Sequence, residues 1–308
     1  MITRREALRR LGVLAAGAAG AGAAGMGTAG CSGEDRPGRR VPSGAPSGEA
    51  SGARSGGGSG EPIGPLGVQL YTVRDQMQAD VARTLARVAG IGYREVEFAG
   101  YFGHAPREIR AMLDDTGLRA PAAHIAVEAL TDEWEATLET ANAVGHDHLV
   151  VAWIPEPMRG SLDAWRRTAD LFTRAGETAR AAGLGLAYHN HDFEFHEMEG
   201  RVPFDVFCEE SDPELVRIEL DIFWITHGGG DALAFFERWP GRVPMVHVKG
   251  RTPEGEMVDV GQGAIEWAEV LGRHEEAGIR HYFVEHDTPD DSLASIEASY
   301  RYLSGLRV

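Results

Sequence analysis

Gly185-Leu186-Ala187-Tyr188-His189-Asn190-His191-Asp192-Phe193-Glu194-Phe195 opens as a short apolar run behind a helical segment and ends in a cluster of polar and ionisable groups. A short continuous apolar run reads as a strand buried on both faces, the kind found in parallel sheets. Imidazoles delivered where such a strand stops can converge with groups from neighbouring strands without entering a packed core, as at the carboxyl ends of the strands of an α/β barrel. A polar loop with two surface histidines would give the same letters, so the endings of the other strands decide.

Outward from this stretch, the chain from Pro65 alternates apolar runs with amphipathic segments. Strands are expected at 67–71, 95–98, 120–124, 148–152, 184–189, 216–220, 243–248 and 281–284. Helices are expected at 80–89, 106–115, 132–144, 162–182, 203–210, 231–239, 265–277 and 292–303. Eight strand-helix units in about 240 residues is the count of a (β/α)8 TIM barrel, within the α/β class. A doubly wound sheet shares the alternation, but Gln69-Leu70-Tyr71-Thr72-Val73-Arg74 stands where its glycine-rich phosphate loop belongs.

The strand ends favour a site. The first four offer Gln69, Glu97, His124 and Trp153; the last four offer His189, Asn190 and His191, then Asp221, then His247 with Lys249, then Glu285. Carboxylates mixed with imidazoles and no thiolate suit one divalent ion, Mn, Co, Zn or Fe, rather than structural zinc. Such an ion also allows Asp221 and Glu285 to stay ionised side by side. Asp221 reads as a ligand or as an N-cap for the turn toward Ile222, and the ligand reading is preferred. His247 could be a core histidine, but Lys249 lies two residues on and on the same side, where a lysine meets a substrate better than it packs in a core. Glu95 and Glu219 are assigned to a helix-facing or solvated side, away from Glu97 and Asp221. His104, His146, His148, His196, His227, His274, His281 and His286 are assigned to the surface or loops.

Ahead of the barrel, Thr3-Arg4-Arg5-Glu6-Ala7-Leu8-Arg9 and the weakly apolar run from Leu11 to Ala29 resemble a twin-arginine export signal. Thr28-Ala29-Gly30-Cys31 resembles a lipobox ending residues 1–31, with Thr28 where leucine is usual. Residues 32–64, rich in Gly, Ser, Pro and Arg, read as a flexible tether, and 65–308 as the catalytic barrel. An exported protein held to the membrane only by a lipid on Cys31, facing the periplasm or cell exterior, is therefore expected. The only other cysteine is Cys208, so no disulfide framework exists. A net charge of -17 repels phosphate backbones and argues against nucleic acid as a partner.

Taken in order, Gly67-Val68-Gln69-Leu70-Tyr71-Thr72-Val73-Arg74, Gly92-Tyr93-Arg94-Glu95-Val96-Glu97-Phe98, the Tyr188–Phe195 stretch, Glu219-Leu220-Asp221 with Trp224, Val246-His247-Val248-Lys249, Gly261-Gln262-Gly263-Ala264-Ile265-Glu266-Trp267 and Val284-Glu285-His286 resemble the sugar phosphate isomerase/epimerase family of xylose isomerase-like barrels. The resemblance runs from Leu66 to the C-terminus. It implies one divalent metal held at the ends of strands five to eight, here by His189, Asp221, His247 and Glu285. Histidine at 189 departs from the family's first glutamate, which puts two-carboxylate epimerisation in doubt. The branch is similar to barrels acting on 3-keto sugars and 3-keto glycosides, in which a proton beside the ketone is removed and a neighbouring substituent leaves.

A metal ion polarises such a ketone, and a base must then reach the carbon acid. Glu285 is the first candidate for that base, with His191 or Lys249 as partner. Gln69, Glu97, His124, Trp153, Asn190 and Gln262 are the candidates for substrate binding. The expected activity is metal-dependent isomerisation, epimerisation or elimination on an unphosphorylated keto sugar, since neither an arginine cluster nor a phosphate nest is visible. The alternative is a sugar-binding lipoprotein that kept the barrel and lost the chemistry. A nuclease acting on abasic DNA fails on charge, on export and on its need for a richer ligand set.

Overall fold

The eight apolar runs pair in chain order and close on themselves as a parallel barrel. They are β1 (Leu66–Gln69), β2 (Glu95–Phe98), β3 (Arg119–Ile125), β4 (His148–Val151), β5 (Gly185–His189), β6 (Val216–Asp221), β7 (Met245–Val248) and β8 (His281–Val284). Closure comes from β1 against β8, with Leu66 opposite Tyr282 and Val68 opposite Val284. This is a computed structural model that describes residues 60–308. The expected export signal, the lipobox and the tether up to residue 59 lie outside the described residues. The tether boundary moves: the amide groups of Glu61 and Val308 exchange hydrogen bonds at 3.0 Å, so the chain joins the barrel several residues before Pro65.

Helices start and stop where side chains satisfy their free backbone groups. Asp80, Ser161 and Asp291 cap the helices Val81–Ile91, Leu162–Ala181 and Ser292–Ser304 by accepting from Arg83, Ala164 and Ala294 amides. Several features escaped the sequence, among them the helix Arg74–Ala79 after β1. A helix at Ile222–His227 begins directly at the end of β6, a two-stranded hairpin joins Gly250–Arg251 to Met257–Val258, and the helix expected at 265–277 is two pieces, Trp267–Leu271 and His274–Ala277.

Strand residues alternate between two cores. Val68, Val96, Leu149, Leu186, Ile218 and Val246 belong to the large core shared with the helices. Ala122, Val150, Ala187, Met245 and Phe283 form a separate apolar plug inside the barrel. Gly67 lets that plug fit, because a Cβ there would stand 2.5 Å from the Phe283 ring and 3.2 Å from Glu95 Cβ. Polar interior residues are thereby confined to the two ends. Gly67→Ala is expected to cost about 1–3 kcal/mol by overpacking. Urea melts should show part of that loss recovered in the double variant with Phe283→Leu.

Candidate metal centre and active site

The C-terminal end of the barrel interior carries the ionisable groups, and strand register decides which of them meet. His189 on β5 lies opposite Glu219 on β6, and Asp221 lies opposite His247 on β7. Residues two apart on a strand share a face, so Glu219 points inward with Asp221 and Glu95 inward with Glu97. The expectation that Glu95 and Glu219 face helices or solvent is thus corrected: both are buried. Glu219 Oε2 meets His124 Nε2 at 2.8 Å, His189 Nδ1 at 3.1 Å and His247 Nε2 at 3.2 Å. Glu95 sits at the opposite end, 2.8 Å from His281 Nδ1.

Three of the four expected ligands group together, and His189 groups with His124, Glu219 and His247 in a second cluster that shares His247. Asp221, His247 and Glu285 each place a ligand atom within 4.8 Å of the others. His189 Nε2 and His247 Nδ1 both stand 3.8 Å from Asp221 Oδ2, and His247 Nδ1 is 2.8 Å from Glu285 Oε2. Asp221 serves both roles considered for it. Its Oδ1 accepts the Trp224 amide at 2.9 Å and caps the new helix, while Oδ2 is buried and ion-paired with Lys249 Nζ at 3.0 Å. A buried carboxylate oxygen faced by two imidazole nitrogens, with a second carboxylate beside it, is a mixed O/N donor set that fits a divalent cation. The outward nitrogens are held by Glu219 for His189 and by Glu97 for His247, the latter at 2.7 Å, as ligand imidazoles usually are.

The sequence model of the family described as xylose isomerase-like TIM barrel matches residues 85–306. The chain belongs to this family. A sugar phosphate isomerase/epimerase from Parabacteroides distasonis is 25% identical with a TM-score of 0.71, over 82% of this chain and 98% of that one. An inosose dehydratase from Lacticaseibacillus casei is 24% identical over 51% of this chain and 59% of its own length, so the chain spans about three-fifths of that curated relative. The IolI protein, solved with a bound zinc atom, shares the fold at 15% identity and a TM-score of 0.63, over 77% of this chain and 96% of that one. Xylose isomerase-like relatives thus include isomerases, epimerases and dehydratases acting on small sugar-like molecules.

Within this xylose isomerase-like barrel, several residues expected to touch substrate are spent on the protein. Gln69 donates to Glu97 at 2.8 Å and accepts the Tyr71 amide at 3.0 Å. Asn190 accepts the Asp221 amide at 2.9 Å and donates to the Asp221 and His191 carbonyls, so it fixes Asp221 instead of reading hydroxyls. Glu97 and His124 belong to the carboxylate-imidazole layer beneath the ligands. Burial alone would lower the His124 pKa, but Glu97 and Glu219 outweigh it and raise it to about 10. Trp153 is 42% exposed at the end of β4, free to offer an apolar face. Gln262 is exposed and donates to Asp259 at 3.3 Å. His146 and His281, expected at the surface, are buried; His146 is 2.9 Å from the Tyr101 hydroxyl and 2.6 Å from the Ala120 carbonyl.

Lys249 Nζ lies 2.7 Å from Glu285, 3.0 Å from Asp221 and 2.8 Å from Asp287, a partner the sequence did not suggest. Burial disfavours its charge, yet Asp221, Glu285 and Asp287 together raise its pKa well above the ordinary value, so it is an ammonium. Glu285 is driven the other way: burial would raise it, but Lys249 and His247 hold it well below the ordinary carboxylate range. His191 is lowered to about 3 by burial and then by Lys249, and its Nδ1 is buried without a partner. Of the three candidates for proton transfer, His191 is the neutral one, with a buried ring nitrogen that has no hydrogen-bond partner and that burial makes only weakly basic.

Behind His191, the Glu194 carboxyl is raised to about 8, chiefly by burial. A carboxyl raised on folding stabilises the protein below its unfolded pKa, and that contribution is lost as pH climbs from the unfolded value to the folded one. Glu194→Gln is therefore expected to gain stability relative to wild type, on the order of a few kcal/mol, between pH 4.5 and pH 8. Paired urea melts across that range read the difference directly.

Proposed function

We propose that this protein is a divalent-metal-dependent enzyme acting on a keto sugar or 3-keto glycoside by removing a proton beside the carbonyl. The observation that carries the reading is the buried cluster in which Asp221, His247 and Glu285 each place a ligand atom within 4.8 Å of the others, with His189 Nε2 3.8 Å from Asp221 Oδ2. These four residues would hold the ion. When bound, it would supply Lewis-acid polarisation of the substrate carbonyl. His191 takes the proton on its imidazole, a step assigned to it instead of Glu285, whose Oε2 is committed to His247 and Lys249. The Lys249 ammonium faces negative charge that develops on substrate oxygen and can return a proton to a departing group. Trp153 offers its exposed ring to the sugar.

Histidine at the end of β5 leaves no second carboxylate for proton exchange on the opposite face. Elimination, with one base and an acid in Lys249, suits these groups better than epimerisation. Inosose dehydratase among the relatives supports that direction. An unphosphorylated substrate met outside the cytoplasm, by a lipoprotein anchored through Cys31, completes the proposal.

The test is elemental analysis of the whole protein followed by incubation with 3-keto glycosides and free ketoses in deuterated water, with and without chelator. Chelator-sensitive deuterium incorporation beside the carbonyl is expected. A protein that binds the sugar, holds no metal and exchanges no proton would be a binding lipoprotein instead. His191→Ala should keep the metal and lower kcat by about 10²–10⁴. Glu219→Gln should weaken metal affinity by roughly 10–100-fold by loosening His189. Because Glu219, Glu285 and Glu97 hold His247 protonated against the effect of burial, metal loading near neutral pH should release about one proton, readable from buffer-dependent calorimetry.

A further inference from the structure

We propose that Glu194 is the positioning residue that sets the His191 imidazole at the barrel mouth, a role that rests on the reading of His191 as the proton acceptor. Glu194 is wholly buried in a short 3-10 turn after β5. Its Oε1 accepts the Tyr188 hydroxyl at 2.7 Å, and its Oε2 accepts the backbone amide of His191 at 2.9 Å. A carboxyl group thus bridges a strand residue and the loop residue three positions beyond it.

The anchor end of that bridge is rigid. Tyr188 is fully buried, with its ring centroid 4.8 Å from Phe207, 5.6 Å from Phe172 and 6.2 Å from Trp165. A second wall comes from Gly228, where a Cβ would lie 2.7 Å from the Asp192 carbonyl oxygen. Gly228 therefore serves close packing against the His191 turn. The His191 ring is stacked on Phe193 at 5.9 Å and 6° and tilted against Trp224 at 5.5 Å.

The consequence is chemical. Many histidines are oriented by a carboxylate on one ring nitrogen, which ties that nitrogen up. Here the carboxyl group grips the backbone and the aromatic rings orient the imidazole, so the ring is placed without a carboxylate on either ring nitrogen. The groups that face Glu194 are the Tyr188 hydroxyl and the His191 amide, with the Asp192 carboxylate adding a repulsive charge.

Glu194→Ala, Glu194→Gln and His191→Ala in the whole protein separate the possibilities. Two readouts are needed: amide hydrogen exchange over 190–195, and kcat with KM on methyl 3-keto-glucoside. Glu194→Ala should accelerate exchange in that turn by about tenfold or more. Its kcat should fall by about tenfold or more, with KM and metal content held, because a misplaced base costs rate before it costs binding. Glu194→Gln can still accept the His191 amide and should recover both. Unchanged exchange in Glu194→Ala, or a Glu194→Gln variant no better than alanine, would overturn the proposal. Full kcat in His191→Ala would sink the base assignment instead, and the exchange data would still decide whether Glu194 holds the turn.

Discussion

One oxygen of Asp221 caps the helix that begins at Ile222, while the other lies buried beside two imidazoles and is held by the Lys249 ammonium at 3.0 Å. Taking a carboxylate and an ammonium out of water costs several kcal/mol per ion, which their attraction offsets only in good geometry. Such a position is tolerated only where the surroundings over-determine it and where something else offsets it. The surroundings do over-determine it. Asn190 takes the Asp221 amide and gives a hydrogen to its carbonyl, the helix takes Oδ1, and the register with β7 sets His247 opposite. The rest of the barrel mouth follows from holding that one oxygen in place.

Around it the ionisable groups form two levels. The outer level, His189, Asp221, His247 and Glu285, presents the atoms that converge. The inner level, Glu97, His124 and Glu219, supplies acceptors for the far imidazole nitrogens and one further positive charge. His124 is that charge, because two carboxylates outweigh its desolvation. Beneath both, the Phe283 plug seals the barrel, so the polar levels are supported by apolar packing and lie at the open end. The inner level turns two flexible imidazoles into fixed ligands.

The fold was legible because its signals are local and repeated eight times. β2, β8 and the helix Pro203–Glu210 fall on the residues expected, and Asp221, His247 and Glu285 lie together, while His189 groups with His124, Glu219 and His247. What failed failed for identifiable reasons. Glu219 was misplaced by ignoring that residues two apart share a strand face. Gln69 and Asn190 were given to substrate because an amide at a strand end looks the same whether it reads a sugar or braces a neighbour. Asp287 and Glu194 carry no sequence signal of their own: one is defined by the reach of Lys249, the other by Tyr188 folding back onto the turn.

Proton commitments then narrow the chemistry. Glu285 is the obvious base by position, but its Oε2 is shared by an imidazole and an ammonium, and both pull its pKa down. Lys249 is wedged among three carboxylates and keeps its proton. Asp221 is raised to about 6, mainly by burial, and its two oxygens are taken by the Trp224 amide and Lys249. Each of these groups is strong in the wrong direction for accepting a proton from carbon. His191 differs because the protein fixes it through its backbone and its ring faces, which leaves Nδ1 uncommitted in a neutral imidazole.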